Sequence, residues 1–189
     1  SYTKNSDLLQ EIDYVLKNLS SAVHQTAYFS VLSGGEVLYL LEERVPTPIT
    51  IQAKRGYKYP AYATGMGKAL LSGKTESDIK ELYPEGLHKL TEHTIDEFDT
   101  LFGQMEEIRR TGYSFEKEES NKDVQCIAVP VKYKEHVIAG MSVAVPVFYY
   151  SEEFEKKAME ELKKAKRHIE KLIQDNTQEW VYSPLGAEM

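Results

Sequence analysis

The sequence reads as an α+β domain with a largely antiparallel sheet. Three observations predict this. Two pairs of β-rich runs, 27–32 with 37–42 and 124–133 with 137–146, stand at either end of the chain. The stretch between them is mostly helical in pattern, and the runs of each pair are joined by short turns rather than long crossovers. At 189 residues the chain is one large domain or two small ones, long enough to bury a real core.

Composition narrows the function classes. A formal charge of −7 argues against the chain wrapping nucleic acid by itself, because phosphate contacts need clustered Lys and Arg. A single cysteine excludes an internal disulfide framework and a zinc site built on several thiolates, and it suits a reducing cytoplasm. No apolar run approaches the roughly 20 residues of a membrane helix, and the first residues do not read as a signal peptide, so a cytoplasmic location without a membrane partner is expected. The five histidines show no metal-ligand spacing. A phosphate-binding loop and a dinucleotide fingerprint are missing, and no cofactor is expected.

Residues 7–24 form a helical pattern, with Leu8, Leu9, Ile12, Val15, Leu16, Leu19 and Val23 on one face and Asp7 or Ser6 as cap; residues 1–5 carry no signal. Ser33-Gly34-Gly35-Glu36 turns a hairpin between the first two β runs. Pro46 and Pro48 interrupt the chain, 49–53 alternate as a half-buried strand, and Arg55-Gly56 makes a turn. Tyr59-Pro60 is extended, since the residue before proline is held out of the helical region, and a helix starts beyond it at Lys68-Ala69-Leu70-Leu71. Thr75 with Asp78 predicts a capping box and a short helix to Tyr83, ended by Pro84 and Gly86. A second helix is placed directly after Thr94, with Ile95, Phe98, Leu101, Met105 and Ile108 on one face, Arg109 and Arg110 in its last turn and Gly112 as its stop. Residues 113–117 read as a strand, and the last β pair turns at Lys134-Glu135. Ser151 caps a long final helix through Phe154, Ala158, Leu162, Ala165, Ile169, Leu172 and Ile173. Residues 175–189 are a polar tail that Trp180 and Tyr182 are able to dock.

The stretch from Tyr59 to Ser72 holds the most chemistry. Gly65 and Gly67 allow the backbone close approach to a neighbour or a ligand, and the amides that open the helix suit an anion. The plain alternative is a strand-to-helix turn. Lys68 reads as a solvated lysine or an anion partner, while Arg109 and Arg110 read as favouring the helix C-terminus.

Beyond it come Thr94, then Glu107-Ile108-Arg109-Arg110-Thr111-Gly112-Tyr113-Ser114, then Glu118-Glu119, then the run from Val124 to Val131. In that order and spacing, from about Leu8 to Ile173, the chain resembles the effector-binding domain of IclR-type bacterial transcriptional regulators. The resemblance implies a GAF-like fold in residues 25–174, with residues 1–24 following a winged helix-turn-helix domain upstream of this chain. It implies a non-enzymatic sensor of a small organic acid, assembled as a homodimer or homotetramer and touching DNA only through that other domain. Carried over position by position, Thr64, Gly65, Met66 and Gly67 match the family's ligand-holding turn. Glu116 matches an acidic position able to accept from a ligand hydroxyl, Cys126 the strand cysteine on the pocket floor, and Ser142 a family serine. The second serine position is Ala144 here, and the usual Gly-Pro reads Val145-Pro146. Ile51 and the ring of Tyr62 are candidate walls. Each has a plain reading too: Cys126 as a small buried hydrophobe, Glu116 as a solvated side chain, Ser142 as a partner of the backbone. Two further functions stay open, a thiol enzyme using Cys126 with His93 or His136 as base, and a dimerisation module whose pocket is filled by Met66 and Tyr62.

Overall fold

The computed structural model describes residues 2–46 and 58–176. The expected strand at 49–53, the Arg55-Gly56 turn, Ile51 and the tail from 177 on lie outside the described residues, while Asp175 closes the last helix and Asn176 caps it.

Helix α1 (Tyr2–Val23) starts five residues before the pattern at 7–24, with no break at Ser6 or Asp7. Nothing in residues 2–6 stops a helix, since neither Gly nor Pro occurs there. It buries Leu8, Ile12, Val15, Leu16, Leu19 and Val23, spaced three and four apart, and ends where His24 takes a left-handed φ of 55°. Strands β1 (Thr26–Ser33) and β2 (Glu36–Glu43) form the expected hairpin. Its tip is held from outside, because Gly35's carbonyl accepts from the Tyr83 hydroxyl at 2.6 Å and from the Ala61 amide at 2.9 Å. A short edge strand β3 (Lys58–Pro60) pairs with the start of β2.

The middle is helical: α2 (Gly65–Leu71), α3 (Glu76–Leu82) and α4 (Phe98–Thr111). The Thr75–Asp78 capping box is present with both bonds made, and Gly112 stops α4 in the left-handed region at φ 82°. The start of α4 differs from expectation. Residues 95–97 are not helical, and the helix begins at Phe98. Thr94 does not cap it; its hydroxyl accepts from the amides of Leu90 and Thr91 and donates to the carbonyl of Glu119 at 2.5 Å. Ile95 reads as part of the helix face because it is buried, but it is buried from a loop.

Strand β4 (Ser114–Lys117) pairs with β5 (Val124–Tyr133), which pairs along its length with β6 (His136–Pro146) across a turn with φ of 47° at Lys134 and 68° at Glu135. Two consecutive positive φ values make this a tight turn that matches strand twist. Helix α5 (Glu152–Asp175) follows, capped by the Ser151 hydroxyl on the amide of Phe154 at 3.0 Å.

All six strands form one antiparallel sheet, ordered β3-β2-β1-β6-β5-β4, with β1 against β6 joining the two hairpins. The pleat sends alternate residues to two cores. Phe29, Val31, Val129, Val131, Met141 and Val143 face α1 and α5. Tyr28, Val37, Tyr39, Val124 and Ala144 face the α2–α4 side. No helix among the described residues is long and apolar enough to cross a membrane.

Candidate functional site

Pro60 is extended at ψ 127°, one 3-10 turn follows at Ala61–Ala63, and Thr64 returns to extended geometry before α2 begins. The Thr64 hydroxyl accepts from the Gly67 amide at 2.7 Å. A Cβ at Gly67 would fall 2.0 Å from the Ala61 carbonyl oxygen, so only glycine lets α2 fold back on its own lead-in. A Cβ at Gly65 would stand 3.2 Å from the Cβ of Glu116 and 3.3 Å from that of Cys126. The close approach these glycines permit is therefore to the protein itself. Of the amides that open α2, that of Gly67 is taken by the Thr64 hydroxyl.

Between α2 and the sheet lies a cavity of about 20 Å³, room for roughly one water. Thr64 and Met66 form its helix side, and Cys126, Ser142, Val124 and Ala144 its sheet side. The rings of Tyr28, Tyr39 and Tyr59 close one flank and Ser120 with Asn121 the other. Tyr39 meets the other two rings edge-on, at centroid distances of 5.2 and 6.4 Å. Burial pushes the phenols of Tyr28 and Tyr39 well above their ordinary pKa, so both keep their proton at neutral pH.

Of the residues singled out in the sequence, Thr64, Met66, Cys126 and Ser142 come together on the walls, with Gly65 packed against Cys126 just outside them. Gly67 and Tyr62 are not on the walls. Tyr62 points elsewhere, its hydroxyl donating to the His88 carbonyl and accepting from the His88 amide, both at 2.9 Å, so it neither walls nor fills this space. Ile51 lies outside the described residues. The three tyrosines were missed, although a hairpin turning at Gly34-Gly35 sets Tyr28 and Tyr39 on one face.

Glu116 is neither solvated nor a plain cavity wall. It is 1% exposed and pairs across the ladder with Cys126. Its Oε1 accepts from the amides of Glu119 at 2.7 Å and Ser120 at 2.9 Å, while its Oε2 has no hydrogen-bond partner. Burial raises its pKa to about 6, with the charge of Glu119 adding to the rise and the two amides and Lys68 opposing it.

Lys68 corrects the expectation of a solvated side chain. It is fully buried, and Nζ donates to Gln104 Oε1 at 2.7 Å, to the Phe115 carbonyl at 2.9 Å and to Glu119 Oε1 at 2.9 Å. One ammonium thus ties α2 to α4, β4 and the loop after β4. Arg109 does more than favour a helix end: its Nε donates to the Ser72 carbonyl and a terminal nitrogen to that of Lys74, both at 2.9 Å, closing the C-terminal end of α2.

The thiol of Cys126 is held well above its ordinary pKa, first by burial and then by Glu116. That is the opposite of an activated nucleophile. His136 sits opposite Tyr133 at the far end of the hairpin, about 23 Å along the strand from Cys126. Among the described residues no group of three or more His, Cys, Asp or Glu is placed to hold a metal ion.

The family model described as bacterial transcriptional regulator IclR C-terminal matches residues 1–171. The regulator KdgR of Dickeya chrysanthemi is 28% identical over 168 residues, which cover 88% of this chain and 55% of that protein. The chain therefore spans about half the length of the curated relatives it matches. A crystal structure of the C-terminal domain of Escherichia coli KdgR superposes with a TM-score of 0.77 at 27% identity, covering 88% of this chain and 98% of that one. The inducer-binding domain of PobR from Acinetobacter, solved as a double mutant with 3-hydroxybenzoic acid, shares the fold at a TM-score of 0.75 and 23% identity, over 85% of this chain and 96% of that one.

Proposed function

The chain belongs to the family of bacterial IclR-type transcriptional regulators, through their C-terminal domain, and from that premise we propose that it is the effector-sensing part of a longer DNA-binding protein. Residues 25–174 bind a small organic acid, and residues 1–24 lead from a winged helix-turn-helix domain outside this chain. The assembly is a homodimer or homotetramer. The observation that carries this reading is the cavity under α2, whose mostly apolar walls include a few polar residues, Thr64, Ser120, Asn121 and Ser142. PobR's 3-hydroxybenzoic acid supports an acid of that size. Entry of such a molecule needs the cavity to enlarge, and Met66, unbranched and on the helix side, is the side chain most easily moved. Displacing it biases the position of α2, and the effector acts through whatever difference in affinity it has for the two positions.

The test is a melting-temperature screen with pyruvate, gluconate and 4-hydroxybenzoate as keto, sugar and aromatic acids. A ligand of the native state raises the transition by mass action, and Ser142→Val weakens the effect. A second reading has an observation of its own. Room for one water favours a module that only associates, its pocket filled by Met66 and the tyrosines. There, Met66→Ala destabilises and no acid restores the loss; in the sensor, the enlarged cavity still binds.

A further inference from the structure

No described side chain lining the cavity carries a charge, whereas the ligand proposed for it is an anion. The nearby cation, Lys68, is not available to balance it. An ammonium has three donors, and here one each goes to Gln104, Phe115 and Glu119. The acid behind the wall is available. Glu116 stands next to two wall residues, as ladder partner of Cys126 and as acceptor from the Ser120 amide, and its buried Oε2 is unpartnered. A ligand carboxylate in the cavity brings a second negative charge next to this buried one, across the Cys126 and Ser120 wall. Two carboxylates in such a place do not both stay ionised.

We propose that an organic-acid effector enters this cavity together with one proton, which Glu116 carries on Oε2. The inference rests on the sensor reading and adds its pH linkage. The groups facing Glu116 leave it as the one that titrates. Lys68 from α2 and Glu119 from the loop after β4 neutralise each other as an ion pair at 2.9 Å. The Cys126 thiol on β5 and the Tyr39 phenol on β2 are both pushed up by burial and stay protonated. Glu116 itself, raised to about 6, is mostly ionised in the free protein at neutral pH. Binding an anion there requires it to be reprotonated. Affinity is therefore level below about pH 6 and falls about tenfold for each pH unit above it, until the raised pKa of the bound state is reached.

The experiment is calorimetric titration of this chain with pyruvate, gluconate and 4-hydroxybenzoate at about pH 5.5, 6.5 and 7.5, in two buffers of different ionisation enthalpy. The expected result is a Kd rising about tenfold between the two higher pH values, with buffer-dependent heat corresponding to uptake of about one proton. Glu116→Gln, which stays neutral at every pH, is expected to bind with one affinity throughout and no buffer dependence. Should that variant not fold, the buffer dependence of the wild-type heat decides alone. Binding with a level Kd and no proton uptake overturns this inference and leaves the sensor reading standing. So does binding that weakens as pH falls, which means that ionised Glu116 accepts from a ligand hydroxyl. Silence from all three acids, even at the lowest pH, overturns the sensor reading and this inference with it.

Discussion

Replacing Lys68 by methionine keeps the reach of the side chain and removes its charge and all three donors. Glu119, with a side chain only 11% exposed, then keeps a buried negative charge supported only by the Lys117 amide at 3.2 Å. Gln104 Oε1 and the Phe115 carbonyl also lose the donor they share. Removing one partner of a buried pair costs about 3–5 kcal/mol, whereas a solvated lysine would cost within about 0.5 kcal/mol. At about 2–4 °C per kcal/mol for a domain of this size, the melting temperature should fall by about 6–20 °C. Urea unfolding followed by circular dichroism reads the change as a shift in midpoint at constant slope. The double variant Lys68→Met with Glu119→Gln removes the orphaned charge and should recover a large part of the loss, giving a coupling energy of about 2 kcal/mol or more. A single-variant loss below about 1 kcal/mol, or strict additivity in the double variant, would refute the reasoning that this pair is a buried tie between α2 and its neighbours.

Two glycines give opposite results in the same unfolding assay. Gly67→Ala drives a Cβ into the Ala61 carbonyl and should cost more than about 3 kcal/mol, whereas Gly103→Ala, in α4 with nothing within 4 Å, should stabilise by about 0.5–1 kcal/mol. A neutral Gly67→Ala would mean that α2 does not fold back on Ala61. Cys126, with its thiol pushed up by burial and by Glu116, should react with iodoacetamide at pH 7.5 at least about tenfold more slowly in the native chain than in urea, measured by intact mass. Equal rates would show the thiol to be open and activated.

What the sequence made legible was local. The Thr75–Asp78 box, the Ser151 cap, the Gly112 stop and the two hairpin turns each depend on residues within a few positions of one another, and each falls where the pattern puts it. The family resemblance rested on short motifs of the same kind, and it led to the fold. Lys68 failed because its partners lie 36, 47 and 51 residues away, and no local rule separates a buried lysine from a solvated one at a helix start. The burial of Glu116 was hidden likewise: a run of charged residues looks solvated, although Glu116 itself is covered by α2 and by the loop that follows it. Thr94 shows a different error. The helix placed directly after it begins only at Phe98, because the Thr94 hydroxyl organises the turn at Leu90–Thr91 and holds the Glu119 carbonyl. The tyrosine flank was hidden in another way, since aromatic residues are common on strands and only the register shows that Tyr28 and Tyr39 meet over the cavity.

The pairing of β1 with β6 has a consequence for how the chain is made. Thr26 and Ala144 are ladder partners, yet on the order of 100 residues separate them. As the chain leaves the ribosome, the first hairpin forms early, while the inner edge of β1 waits for nearly the whole domain to be synthesised. During that interval Phe29 and Val31, destined for the core under α1 and α5, sit beside an open strand edge. The two ends of the domain thus close on each other last, and a nascent chain stalled before β6 presents a template for pairing with a second copy of itself.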